Sequence, residues 1–357
     1  MRVPFLDLAA ETAALRPELE AALARTLDEA RFVGGGAVAE LERAWADFCG
    51  VAHAVGVGSG TAALELGLRA ARVGAGDEVL VPANTCVPTV AAVESAGATP
   101  VLVDAHPETW TLDPERLADA CSAKTRAIVP VHLYGRRADV DAIGSFAGER
   151  DFVVVEDAAQ AHGLDGVARS STVAAFSFYP TKNLGALGDA GAIATNDEQL
   201  AERARRLRSY GEDERYHSVE PGTNSRLDTL QAALLLAKLE QLPAWNERRR
   251  QLAARYHELL AEMPLKRPAW DDRSVWHLYV VRVRDRDAFR SALEARGVGT
   301  AVHYPRAIHE HPAYERLARD LPVAEALARE VVSLPLHPAL SDEEQDAVVD
   351  AIHAWAR

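Results

Sequence analysis

The order of apolar and polar residues predicts secondary structure along the first two thirds of the chain. Residues 12–31 and 37–48 have helical apolar spacing, and the glycines at 34–36 would separate the two helices. Further on, short apolar runs predict strands at 53–57, 78–81, 100–103, 126–131, 152–156, 173–178 and 191–195, with helices 61–72 and 87–96 among them. Strands that alternate with helices predict an α/β fold, in which a mostly parallel sheet carries helices on both faces.

The remaining third has a different pattern. A helical stretch runs from about 225 to 262 and is broken by Pro243. A strand-like run at 275–283 and helices at 288–296 and 342–356 follow it. We therefore expect a large domain at 1–240 and a smaller α+β domain at 241–357, since 357 residues suffice for two cores.

Composition narrows the class of partner. The formal net charge is −14, which disfavours nucleic-acid binding, because phosphate recognition needs a basic face. The three cysteines fit neither a disulfide framework nor a zinc site, and no other spacing indicates a metal. With no signal-peptide pattern and no apolar run of membrane-spanning length, the expected location is the cytoplasm.

Candidate chemistry begins at Lys182, in the segment Ser177-Phe178-Tyr179-Pro180-Thr181-Lys182-Asn183-Leu184-Gly185. Alone, this lysine is typical of a solvated loop. Asp157, however, stands 25 positions earlier, after the apolar strand at 152–156, and ligands of α/β sheets bind at the carboxyl ends of strands. An acid there can keep a pyridine nitrogen protonated, although it can equally cap the next helix.

A third segment, Gly58-Ser59-Gly60-Thr61, follows the strand at 53–57 and opens a helix. Free N–H groups at a helix N-terminus favour a phosphate. The segment is too short for a Walker loop and lacks its Gly-Lys pair, and it does not fit a dinucleotide fingerprint because position 63 is alanine. A phosphate turn, a strand-end acid and a later loop lysine, in this order, indicate a pyridoxal-phosphate (PLP) site.

These segments, together with Asn224-Ser225-Arg226-Leu227-Asp228, Trp276-His277-Leu278 and His303-Tyr304-Pro305, make the chain similar to DegT/StrS-type nucleotide-sugar aminotransferases. The resemblance covers nearly the whole chain and implies the fold of type I PLP enzymes. It also implies a transfer of an amino group from glutamate to a nucleotide-linked keto-sugar.

The resemblance implies a role for each matching residue. Lys182 would form the Schiff base with PLP and move the proton, and Asp157 would pair with the pyridine nitrogen. Gln160 would lie near the phenolic oxygen of PLP. The cofactor phosphate would be held by Gly60, Thr61 and Ser177, and by Asn224 of a neighbouring subunit, which predicts a homodimer with shared sites.

Substrate contacts are predicted at Tyr179, Tyr216, His217 and His309. Tyr179 and Pro180 before Lys182 resemble enzymes that act at the 3-keto position of dTDP-linked 6-deoxyhexoses. Relatives that act at the 4-keto position more often carry other residues there, and a 4-keto-sugar aminotransferase is the alternative. Cys86 departs from the family, because relatives often place a ring-stacking aromatic residue at its position. We expect the polarisable thiol of Cys86 to contact the cofactor ring. The alternative is that Cys86 is only a small buried residue.

Three other functions stay open. A PLP-binding regulator without turnover would not need the full set of Lys182, Asp157 and Gln160. Sugar dehydratases of the same family resemble this chain but replace the lysine with histidine. A nucleotide-binding oxidoreductase is compatible with the fold class alone, yet its glycine fingerprint is missing.

Overall fold

A central sheet of seven strands organises the computed structural model, which describes residues 2–169 and 171–357. In chain order the strands are β1 (His53–Val57), β2 (Glu78–Pro82), β3 (Thr99–Val103), β4 (Thr125–Ile128), β5 (Val153–Asp157), β6 (Val173–Ser177) and β7 (Gly191–Thr195). Their spatial order is β1-β7-β6-β5-β4-β2-β3, and β7 runs antiparallel to both of its neighbours. The other pairings are parallel, which confirms the predicted mostly parallel sheet.

Helices surround this sheet and continue through the C-terminal part. In chain order they are α1 (Leu8–Ala14), α2 (Arg16–Glu29), α3 (Gly36–Cys49), α4 (Gly60–Ala70), α5 (Val87–Ser95), α6 (Leu117–Ala120), α7 (Val140–Gly148), α8 (Glu198–Leu207), α9 (Thr229–Leu239), α10 (Leu242–Leu259), α11 (Arg286–Glu294), α12 (Pro322–Glu330) and α13 (Asp342–Ala356). Among the described residues, no helix combines the length and the apolar character that a membrane crossing requires.

Alternate residues of each strand enter two separate cores, because successive side chains point to opposite faces of a sheet. On β6, Val173 and Ala175 pack with α4, α5 and α8. Ala174 and Phe176 pack on the other face, with α3 and α9 around the buried Trp45. Both faces are therefore apolar and covered, as the uninterrupted apolar runs of the sequence indicate.

The C-terminal part has its own core on the two-stranded sheet of β10 (Tyr279–Arg282) and β11 (Val331–Leu334). Its strand β10 is shorter than the predicted run at 275–283, and the sequence pattern did not predict β11 or α12. Ala324 and Ala328 of α12 join the core of the large sheet instead. The domain boundary near residue 240 stays a prediction.

The predicted helical stretch at 225–262 is two helices. Residues 225–228 are not helical, α9 starts at Thr229, and the break falls at residues 240–241 rather than at Pro243. Pro243 lies in the first turn of α10, where the missing N–H of proline costs no helical hydrogen bond. A small hairpin, β8 (Glu212–Glu214) with β9 (His217–Ser218), precedes the 225–228 segment.

Candidate active site

A cavity of about 420 Å³ lies at the carboxyl ends of β5 and β6, beside the N-terminus of α4. Of the predicted site residues, its wall includes Gly60, Thr61, Cys86, Asp157, Gln160, Ser177, Tyr179 and Lys182. Residues that are up to 122 positions away from Lys182 in the sequence therefore meet in one space, as the rule for α/β sheets predicts.

One end of the cavity is built for an anion. Ser59 caps α4, since its Oγ accepts a hydrogen bond from Ala62 N at 3.1 Å. A side chain on Gly60 would meet Ser177, whose Cα would lie 2.9 Å from the added Cβ. Only glycine therefore lets the helix start pack directly on the end of β6. Gly60, Thr61 and Ser177 all line the cavity, and the first N–H groups of a helix are free to bind an anion.

Lys182 lies on the tight loop after β6. Its backbone N–H donates to Tyr179 O at 2.9 Å, and a side chain on Gly185 would collide with the Pro180 carbonyl group. The ammonium of Lys238 donates to Gly185 O at 2.7 Å and holds the far side of the loop. Burial lowers the pKa of the Lys182 amine, while the charge of Asp157 opposes this shift.

Asp157 is the buried acid of the cavity wall. Its Oδ2 accepts from Thr89 Oγ1 at 2.8 Å, and its Oδ1 accepts from Ala159 N at 3.1 Å. The hydroxyls of Thr89 and Thr85 are 2.9 Å apart, so Thr85 donates to Thr89 when Thr89 donates to the carboxylate. Burial raises the pKa of Asp157, and Thr89 counteracts this most. A cation placed beside Asp157 would, like Thr89, lower the pKa of this carboxyl.

Gln160 connects the side wall to the C-terminal part. Its Oε1 accepts from Tyr134 N at 2.6 Å, so its Nε2 faces Tyr304 and donates to the phenol oxygen at 3.0 Å. The Tyr304 phenol also hydrogen-bonds Cys86, and burial raises the pKa of both groups. Thiol and phenol are therefore neutral near pH 7. That Cys86 covers the cofactor ring stays a prediction.

Several wall residues were not among the predicted site residues, namely Thr85, Thr89, Leu133, His277, His303 and Tyr304. A sequence signal existed for two of them, because Thr85 and Thr89 are four positions apart at the start of a predicted helix. For His277 and Tyr304 the signal was only their place in segments that carry the family resemblance.

Four predicted residues lie outside the cavity wall. Asn224, Tyr216 and His217 are exposed, and Tyr216 is 83% accessible. Asn224 nevertheless belongs to the segment beside the phosphate turn, since Gly58 N donates to Ser225 O. His309 Nε2 pairs with Glu325 Oε1 at 3.3 Å, away from the cavity.

These donors and acceptors fit a phosphorylated pyridine. The first turn of α4 suits the phosphate, the buried carboxylate of Asp157 suits a protonated ring nitrogen, and Lys182 lines the same cavity. Within the described ranges, no group of three or more His, Cys, Asp or Glu side chains could hold a metal ion.

The model of the DegT/DnrJ/EryC1/StrS aminotransferase family matches residues 14–353. The chain belongs to this family. The family assignment confirms both the predicted enzyme class, an aminotransferase, and the predicted cofactor, PLP. The roles of individual residues remain predictions.

Relatives of this aminotransferase match it end to end. The dTDP-3-amino-3,4,6-trideoxy-alpha-D-glucose transaminase of Streptomyces venezuelae is 48% identical over 99% of this chain and 96% of its own. The erythromycin biosynthesis sensory transduction protein EryC1 of Saccharopolyspora erythraea is 46% identical over 100% of both chains.

Solved structures show the same fold. DesV of S. venezuelae, in complex with a ketimine intermediate, has a TM-score of 0.97 at 47% identity and covers 100% of this chain and 99% of its own. NtdA of Bacillus subtilis, with bound cofactor PMP, has a TM-score of 0.96 at 33% identity, over 99% of this chain and 85% of that one.

Proposed function

We propose that this aminotransferase moves an amino group from glutamate to the keto carbon at position 3 of a dTDP-linked 6-deoxyhexose. It would act in the cytoplasm as a homodimer with shared active sites. The relative from S. venezuelae supports the substrate, since it carries a dTDP-3-amino-trideoxyglucose name and aligns over 99% of this chain.

The observation that carries the proposal is the single cavity that joins Lys182, Asp157 and the N-terminus of α4. PLP, when bound there, supplies an electron-poor ring that stabilises negative charge on the reacting carbon. The chain supplies the rest. Lys182 Nζ, whose pKa is lowered by burial, moves the proton at the carbon beside the transferred nitrogen. Asp157 would keep the ring nitrogen protonated, and Gln160 would lie near the phenolic oxygen of the ring.

The position of the keto group decides between two substrate classes. We expect mass spectrometry to show an amino product when the protein is given glutamate and a dTDP-3-keto-6-deoxyhexose, and none with the 4-keto isomer. Lys182→Ala, checked for an unchanged circular dichroism spectrum, is the matched inactive control. Amination of the 4-keto isomer alone, or turnover by Lys182→Ala, would contradict the proposal.

Shared active sites can be tested by subunit mixing. Asn224 is exposed and lies outside the cavity of its own chain, as expected of a residue that serves a neighbour. Lys182→Ala and Asn224→Ala subunits should each be inactive or weak. A mixed dimer would have one intact site of two, and about half of the dimers in an equal mixture would be mixed. Such a mixture should therefore recover about a quarter of wild-type activity. No recovery after demonstrated subunit exchange would contradict shared sites.

A PLP-binding regulator without turnover is the second candidate, because the relative EryC1 carries the name of a sensory transduction protein. The cavity, however, holds a complete set of Lys182, Asp157 and Gln160. A regulator without turnover would bind PLP yet leave its absorbance unchanged when glutamate is added. The aminotransferase should lose the PLP absorption band as the amino group is transferred.

A further inference from the structure

His277 lies in the cavity wall together with Lys182, at the end of a chain of buried amides. Asn246 Nδ2 donates to the carbonyl oxygen of His162 at 2.8 Å. Asn183 Nδ2 donates to the carbonyl oxygen of Val275 at 3.1 Å. A carbonyl oxygen can only accept, so these two contacts fix which end of each amide is nitrogen.

The orientation of these two amides determines which ring nitrogen of His277 carries the hydrogen. Asn183 Nδ2 donates its second hydrogen to Asn246 Oδ1, at 2.9 Å, so the Asn183 oxygen points the other way. That oxygen lies 3.0 Å from Nδ1 of His277. Because the oxygen of Asn183 can only accept, Nδ1 must carry a hydrogen and donate it.

A histidine protonated on Nδ1 alone has a lone pair on Nε2. Burial lowers the pKa of His277 well below its ordinary value, and the charge of Lys182 acts in the same direction. The ring is therefore neutral. Within the part of the chain that the structure describes, no side chain or backbone group hydrogen-bonds to Nε2 of His277.

The ring is also held in place. Arg249 Nη1 donates to the His277 carbonyl oxygen at 3.3 Å, and His277 itself is only 6% exposed. Asn183 and Asn246 are 3% and 5% exposed, so water does not compete with this chain of hydrogen bonds. The free acceptor therefore has one orientation, toward the cavity.

We propose that Nε2 of His277 is a specificity-determining acceptor, which receives a hydrogen bond from a hydroxyl group of the bound keto-sugar. This inference rests on the proposed function. The carboxylates of glutamate only accept hydrogen bonds, and its one donor is the amino group that is itself transferred. The sugar, by contrast, carries hydroxyl donors. His277 would therefore serve the half-reaction with the sugar and not the half-reaction with glutamate.

Two substitutions test the roles of the two ring nitrogens of His277 separately. His277→Asn keeps an N–H for Asn183 and loses the acceptor at the position of Nε2. His277→Gln brings back a polar group near that position. His353→Asn, on the distant helix α13, is the matched control.

The two half-reactions are followed separately by stopped-flow absorbance of the PLP-loaded protein. A neutral hydrogen bond corresponds to about a two- to tenfold effect. We expect His277→Asn to slow the sugar step and to weaken binding of the amino-sugar product by that factor. The glutamate step should be unchanged, and His277→Gln should recover part of the loss.

Every other outcome counts against the proposal. Equal slowing of both half-reactions would mean that Nε2 serves Lys182, which both steps share. Unchanged kinetics in both would mean that Nε2 meets no donor. Nitrogen NMR of ¹⁵N-histidine protein, with the signal assigned by its loss in His277→Asn, should show hydrogen on Nδ1; hydrogen on Nε2 would overturn the inference. Wild-type protein that reacts with glutamate but with no keto-sugar would instead refute the proposed function.

Discussion

The hydroxyl of Thr89 offers the sharpest test of the cofactor site. Thr89→Val has nearly the same shape and removes only the donor to Asp157 Oδ2, which lies 2.8 Å away. Thr89 is 1% exposed and Asp157 is 5% exposed, so no water can easily replace the lost hydroxyl. The substitution therefore leaves the carboxylate with one fewer donor in a buried site.

The expected magnitude follows from that single contact. A hydrogen bond to a charged group contributes about 1.5–3 kcal/mol, and its loss should raise the pKa of Asp157. This adds to the upward shift in pKa that burial already causes. A protonated Asp157 cannot pair with a cationic ring nitrogen. The affinity for PLP should therefore fall about tenfold to a hundredfold.

The assay is a titration of the cofactor-free protein, followed by absorbance. A PLP analogue with carbon in place of the ring nitrogen is the essential comparison, because it has no proton for Asp157 to hold. Thr89→Val should weaken PLP binding and leave the affinity for the analogue unchanged. Thr89→Ser should bind PLP nearly as wild type does, and Thr85→Val should have a smaller effect than Thr89→Val.

Two results would refute this reasoning. If Thr89→Val binds PLP as tightly as wild type, the hydroxyl contributes nothing to the charge of Asp157. If it loses the same affinity for PLP and for the carbon analogue, the change acts on the shape of the cavity rather than on the ring nitrogen.

Three further predictions concern the elements around the cavity. Gly60→Ala should weaken PLP binding by more than about tenfold in a cofactor titration, because the new methyl group would push α4 off Ser177. Lys238→Met should lower the free energy of unfolding by about 1–3 kcal/mol in urea, since Gly185 O loses its buried donor. Burial lowers the pKa of His162 from 6.5 to about 3. A histidine that charges only on unfolding destabilises the fold as pH falls below 6.5, so His162→Phe should reduce the stability lost between about pH 7 and pH 5 by about 2 kcal/mol.

Each of these three has an outcome that contradicts it. Unchanged cofactor affinity in Gly60→Ala would show that α4 can shift freely. Unchanged stability in Lys238→Met would show that the Gly185 carbonyl finds another donor. An acid sensitivity in His162→Phe equal to that of wild type would place the acid-sensitive groups elsewhere.

Much of the fold could be predicted from local pattern. The runs at His53–Val57 and Gly191–Thr195 are strands with those bounds, and Asp342–Ala356 is a helix as predicted. The sheet order could not be predicted, because periodicity says nothing about which strands pair. The antiparallel β7, between β1 and β6, is fixed by tertiary packing alone.

Some residues of the candidate site could be predicted from the sequence and others could not. Lys182, Asp157 and Gly60 follow predicted strands, so the rule for strand ends was enough to place them in one cavity. Thr89 lies on α5, which follows β2, and it contacts Asp157 only because β2 lies two strands from β5 in the sheet. His277 is held at the cavity by a hydrogen bond to Asn183, which lies on a distant segment of the chain. Such contacts depend on three-dimensional order that one sequence does not reveal.

The position of β7 has a consequence for how this chain is made. Among the strands of the described residues, β1, which leads into the phosphate turn, pairs with β7 alone, and the residues of β7 are synthesised much later. While the ribosome is still adding the segments between them, β1 has no partner in the sheet, and its edge can pair with other chains. The phosphate turn can reach Ser177 only after that long loop closes, and closing distant contacts is slow. The phosphate turn is therefore set in place only after β7 has been made, and PLP can stabilise only molecules that have already completed the sheet.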